Sequence, residues 1–84
     1  MKATIKQMNG QPTITEATEA DLRALIGDWD DPTAYGDAAG RICAYPTAEA
    51  YDDDMDGAYP EITISGPGAE ALASDADIDI VCWM

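Results

Sequence analysis

The sequence predicts an α+β fold. The expected architecture is a small, mostly antiparallel sheet of about three to five strands. One main amphipathic helix, about residues 18–29, should cross one face, with one or two short helices besides. Three observations predict it. Leu22, Leu25, Ile26 and Trp29 fall at i, i+3, i+4 and i+7, which is one helical face. The segments 2–8, 61–65 and 77–83 alternate apolar and polar residues, as half-buried strands do. Helical and strand patterns follow one another along the chain, with no repeat and no linker.

The elements can be justified in order. Ala3 and Ile5 share one face of a first strand, and Thr4 and Ile5 favour extended backbone. Asn9-Gly10 is the type I′ hairpin dipeptide, and Thr13–Thr15 would return as a short strand, kept at an edge by Pro12. Thr18 is the expected N-cap of the main helix, with Asp21 in the capping-box position and Glu19 also suiting the dipole. Asp30-Asp31-Pro32 ends it. Asp31 and Pro32 also read as an N-cap and first helical position, predicting a short helix over 32–39 closed by Gly40. Residues 41–45 form a strand stopped by Pro46, and 47–51 fit either a helical turn or a continued strand. Residues 52–58 read as loop. Glu61–Ser65 is a strand with Ile62 and Ile64 inward, Gly66-Pro67-Gly68 breaks it, and Ala69–Ala73 begins a short helix. A final strand, 77–83, should turn Ile78, Ile80 and Cys82 one way and Asp77, Asp79, Val81 and Trp83 the other.

Charge is the chain's most unusual property. Seventeen acids face four bases, without a histidine, for a formal net charge of −13 over 84 residues. Small soluble domains need a net charge of only about 2–8. The excess repels itself and opposes compactness. Residues 1–15 hold Lys2 and Lys6 and no acid; every acid lies from Glu16 onward, opposed only by Arg23 and Arg41. The acids gather as Asp28, Asp30, Asp31 and Asp37; Glu49, Asp52, Asp53, Asp54 and Asp56; Glu61 and Glu70; and Asp75, Asp77 and Asp79. Apolar residues make up 46% of the chain and run between these groups, which argues against disorder.

One domain is expected at this length. No apolar run approaches the roughly 20 residues of a membrane helix, and the N-terminus lacks the apolar stretch of a signal peptide. Cys43 and Cys82 form no metal-binding pattern; they read as reduced, buried cysteines of a cytoplasmic protein, the alternative being a single disulfide in an oxidising compartment.

Catalysis has little to stand on. Without histidine, Ser-His and Cys-His nucleophile systems are excluded, and Gly66-Pro67-Gly68 lacks the spacing of a phosphate loop. Asp52-Asp53-Asp54-Met55-Asp56-Gly57 matches the opening of a calcium loop. Thr63 stands where the bidentate Glu is required, so no metal or other cofactor is expected. Asp77 and Asp79 would sit about 6.8 Å apart on one strand face. Trp29 completes the helix stripe and reads as core; Trp83 reads as a partly exposed anchor. The four tyrosines suit either a binding surface or core cover. Direct binding to nucleic acid or anionic membranes needs a basic surface that four scattered bases cannot form.

A small acidic domain without a catalytic set resembles the nucleic-acid mimics of phages and mobile elements. It is most similar to the small acidic anti-CRISPR proteins, above all through Asp28–Asp31, Asp52–Asp56 and Asp75–Asp79. The resemblance implies a non-enzymatic inhibitor in the bacterial cytoplasm. It would occupy the DNA-binding groove of a basic host protein, a CRISPR effector complex foremost, through Asp28, Asp30, Asp31, Asp37, Asp52, Asp53, Asp54, Asp56, Asp75, Asp77 and Asp79. Three other readings stay open: an acidic inhibitor or antitoxin of a basic protein unrelated to DNA, a halophile-adapted protein, and a weak calcium-binding module.

Overall fold

The computed structural model describes residues 2–8, 10–53 and 60–83, with Asp53 described through its backbone alone. The elements are β1 (Thr4–Gln7), α1 (Glu19–Ile26), β2 (Thr33–Gly36), β3 (Ile42–Tyr45), α2 (Ala48–Asp53), β4 (Ile62–Ser65), α3 (Ala69–Asp75) and β5 (Asp79–Trp83). The strands form one mixed sheet in the order β1-β4-β3-β2-β5. Three pairings are antiparallel, and β5 alone is parallel, to β2. A parallel neighbour needs a crossover, and α3 supplies it between β4 and β5. The fold is α+β.

Alternation gives the sheet two distinct faces. Ile5, Ile64, Ile62, Ile42, Ala44 and Ala34 are matched across the ladders on the first face and are almost wholly buried. Leu22 and Ile26 of α1 and Ala69, Leu72 and Ala73 of α3 complete this core, with Leu25, Trp29 and Ile80 at its margin. Thr33, Tyr35, Cys43 and Tyr45 occupy the second face, next to α2. The rings of Tyr35, Tyr45 and Tyr51 pack there with centroids 5.7–6.2 Å apart. So Tyr35, Tyr45 and Tyr51 provide core cover and make the second face aromatic, while Tyr59 lies outside the described residues; the described acids lie at the loops and element ends.

The start of α1 is as expected. Thr18 accepts a hydrogen bond from the Asp21 N–H, and the Asp21 carboxylate accepts one from the Thr18 N–H, a closed capping box. The helix ends at Ile26, one turn short of Trp29, whose N–H donates to the Ile26 carbonyl. Segment 47–51 resolves as helix, with the Thr47 hydroxyl capping the Ala50 N–H. Ile14 pairs with Ile5 through two 2.9 Å backbone bonds, while the Met8 N–H donates to the Glu61 carbonyl; Asn9, on which the hairpin-turn expectation falls, lies outside the described residues. Pairing beyond that single bridge is absent among the described residues, and Pro12 has no N–H to extend it.

Two expectations are corrected. The helix over 32–39 is instead β2, and Gly40, at φ +82°, closes a tight β2–β3 turn. Asp31-Pro32 favours extended backbone at Asp31 as readily as it caps a helix. The β-favouring Thr33 and Tyr35 then gain ladders on both sides, with Ala34 fully buried. The last strand begins at Asp79, because Asp77 adopts φ +64° in the turn after α3. It also carries a bulge: Ala34 pairs with Ile80 but Tyr35 with Cys82, leaving Val81 as the extra residue. The bulge reverses the alternation. Cys82 joins the tyrosine face, and Trp83 returns to the Ile80 face, opposite Gly36.

Cys43 and Cys82 are free thiols. They sit on β3 and β5 with β2 between them, roughly 10 Å apart at about 4.8 Å per strand, beyond the reach of a disulfide.

Candidate functional site

The parallel β2–β5 pair decides where the acids meet. Both strands begin at the same end of the sheet, and the Asp79 N–H donates to the Pro32 carbonyl at 3.0 Å. That contact unites two groups far apart in sequence, Asp28–Asp31 and Asp75–Asp79. The Asp31 N–H bonds the Pro46 carbonyl where β3 ends, and the Glu61 N–H bonds the Ala44 carbonyl where β4 begins. Glu49, in the first turn of α2, belongs to this end as well. Asp79, Asp31 and Glu61 thus mark three strand ends across the order β5-β2-β3-β4. At about 4.8 Å per strand, that row spans roughly 14 Å. Each strand of duplex DNA carries a phosphate per about 3.4 Å of axis, so the row covers a length of some four phosphates.

The helices deepen the negative field. α1 runs into this end through 27–32 and α3 through 76–78, so both present their C-termini there. A helix C-terminus carries about half a negative charge and is stabilised by cations, not carboxylates. Asp28 follows α1 directly, Asp75 lies in the last turn of α3, and α3 has no basic residue in that turn. These acids stand at helix ends whose dipoles favour cations, and Arg23, in the last turn of α1 and bonded to the Asp75 carbonyl, offsets part of that field.

Three of the four basic side chains are committed to pairs, and Lys6, exposed on β1, has no ion pair among the described residues. Arg23 bonds the Asp75 carbonyl at 2.6 Å and the Asp77 carboxylate at 3.2 Å, and lies 3.6 Å from Glu19. Lys2 pairs with Glu16, and Arg41 with Asp37. Asp28, Asp30, Asp31, Glu49, Glu61, Asp75 and Asp79 are exposed, and no ion pair joins their carboxylates to a described residue.

The candidate residues therefore divide. Asp28, Asp30, Asp31, Asp75 and Asp79 share one end with Asp77, which Arg23 partly neutralises. Asp77 and Asp79 do not form the evenly spaced strand pair expected, since Asp77 lies outside the strand. Asp37 is at the opposite end, in the β2–β3 turn. Its carboxylate accepts from the Ala39 and Arg41 N–H groups, each at 2.9 Å, and from Arg41 Nε at 2.8 Å. The Arg41 N–H above all, with its guanidinium and the Ala39 N–H, holds the Asp37 carboxyl below its usual value against a smaller desolvation effect. Asp52 is exposed on α2; the Asp53 carboxylate, Asp54 and Asp56 lie outside the described residues, as does most of the calcium-like loop. Glu49 and Glu61 were not singled out from sequence. Glu61 has one signal, its place between Pro60 and the alternating Ile62–Ile64 strand; Glu49 follows Pro46 by three residues and has none of its own.

Two further features bear on chemistry. A hollow of about 330 Å³ lies where α1 meets α3. Its polar lining is Thr18, used as a cap, and the carboxylates Glu19 and Asp75, with no nucleophile–base pair. On the second face, Tyr51 Oη and Cys82 Sγ share a 3.0 Å hydrogen bond. That bond, then desolvation and the neighbouring negative charges, pushes the Tyr51 phenol up to about 12, away from use as a base.

No family model, curated protein or solved structure matches this chain.

Proposed function

We propose that the chain is a non-catalytic inhibitor whose acidic sheet end occupies a basic, nucleic-acid-binding groove. One observation carries the reading: seven exposed carboxylates, none in an ion pair among the described residues, are gathered where two helix C-termini already point. Such placement lowers the stability of the isolated fold, and a cationic partner recovers that cost. The mechanism is mimicry of charge geometry. A groove lined with Lys and Arg accepts anions at phosphate-like intervals, and a folded sheet end presents them already ordered, so less entropy is lost on docking. Complementary charge also speeds the encounter. The DNA-recognition groove of a CRISPR effector complex is the partner class that the resemblance to acidic anti-CRISPR proteins suggests.

The test is capture from bacterial lysate containing such complexes, with immobilised wild type and an Asp28/Asp30/Asp31→Asn variant side by side. Nucleic-acid-binding proteins retained by the wild type, released by salt and lost with the variant are expected. Retention of the same proteins by both baits would overturn the reading.

A further inference from the structure

The two edges of the sheet are treated differently. The outer side of β1 is covered: Ile5 exchanges two hydrogen bonds with Ile14, and the Ala17 N–H donates to the Ala3 carbonyl. The outer side of β5 has no partner strand or loop among the described residues. At five residues it is the longest described strand, and it contains neither Lys nor Pro; its guards are Asp79 at its start and the bulge at Val81, beyond which Cys82 and Trp83 resume pairing. On this strand Val81 is 48% and Trp83 51% exposed.

Trp83 is also held in place. Gly36 lies opposite it, and any Cβ at Gly36 would fall on the indole. The ring therefore rests on bare β2 backbone with its outer half in solvent. An ordered, half-exposed Trp at an open edge fits a binding anchor, since little rotamer freedom is lost on contact.

We infer that β5 is a docking strand, on which an extended Lys- or Arg-bearing segment of the partner adds as a sixth strand. Charge decides the occupant. Asp75, Asp77 and Asp79 stand at the start of this edge, all exposed. A second copy of the chain would bring its own net charge of −13 against them. An alternating basic strand instead places its cations beside these carboxylates and its apolar side chains near Val81 and Trp83. Backbone pairing supplies affinity and the alternate side chains supply selectivity. This rests on the reading of the partner as basic, and adds how part of it docks.

The probe is a synthetic hexapeptide of alternating Lys and Val, beside the same peptide N-methylated at every second residue. The charge is identical, but the methylated form cannot complete a ladder. The first peptide is expected to slow amide exchange at residues 79–83 and to shift Trp83 emission. The methylated one should bind about tenfold more weakly or worse, because each lost backbone bond weakens the contact. Trp83→Ala should also weaken the first peptide while leaving its salt dependence unchanged. Equal binding of the two peptides, or exchange protection anywhere other than β5, overturns the docking strand. The acidic-end reading would survive that result, because it is judged by competition with DNA and not by strand addition.

Discussion

Gly36→Ala tests the packing of the sheet edge and can be worked through from the structure. An added Cβ at Gly36 falls on the Trp83 indole, so the ring must leave. Trp83 is 51% exposed, so it buries about half its surface. Half of the roughly 200 Å² an aromatic residue can bury is ~100 Å², worth ~2.5 kcal/mol at about 25 cal/mol per Å². Alanine in place of glycine in a strand returns about 0.5–1 kcal/mol. The expected net loss is therefore about 1.5–2 kcal/mol. Urea unfolding of wild type, Gly36→Ala, Trp83→Ala and the double variant forms a cycle. In the Trp83→Ala background, Gly36→Ala should be neutral or slightly stabilising, since nothing then opposes the methyl. A neutral Gly36→Ala in the wild type, or an equal loss in both backgrounds, would refute the reasoning.

Further outcomes follow from the core and the two perturbed groups. Leu22→Ala, at a fully buried position, should cost about 2–5 kcal/mol by thermal or urea unfolding, and Leu25→Ala, half-buried, distinctly less. The folded Tyr51 value is raised, so its contribution to stability is complete below about 10 and is lost as pH rises through about 12. Cys82→Ala should bring the phenolate absorbance transition of Tyr51 down towards the usual value. The folded Asp37 value is lowered, so its contribution is present above the ordinary aspartate value and is lost as pH falls through the folded value. Asp37→Asn should flatten the acid limb of a stability profile below that pH.

Local signals made much of this fold legible. The Thr18–Asp21 box, the Ile62–Ile64 alternation and the helix after Gly68 each depend on neighbours within a few residues, and each is found where expected. The misreading of 32–39 has a physical cause. Asp31-Pro32 is compatible with a helix start, and only pairing with β3 and β5, both distant or later in the chain, makes β2 the better use of those residues. The bulge at Val81 was equally hidden, because an extra residue leaves no mark in an alternating pattern. For the candidate site, the acid groups were visible as runs. That Asp28–Asp31 and Asp75–Asp79 share one end, while Asp37 is used in a turn at the other, depends on the parallel β2–β5 register.

Placement of charge, as distinct from its amount, is the central claim, and one competition experiment addresses it. Binding of DNA by a partner captured with the wild-type chain is followed against added protein at several DNA concentrations. Two variants remove the same charge from different places. Asp31→Asn with Asp79→Asn neutralises the acidic end, and Glu16→Gln with Glu70→Gln neutralises acids towards the opposite end, near Lys2 and the start of α3. Wild-type inhibition should ease as DNA is raised. The first variant should inhibit about tenfold more weakly, a loss of ~1.4 kcal/mol, and the second should stay close to wild type. Inhibition that ignores DNA concentration, or equal losses in the two variants, would contradict the account and leave the acidity as a property of the surface at large.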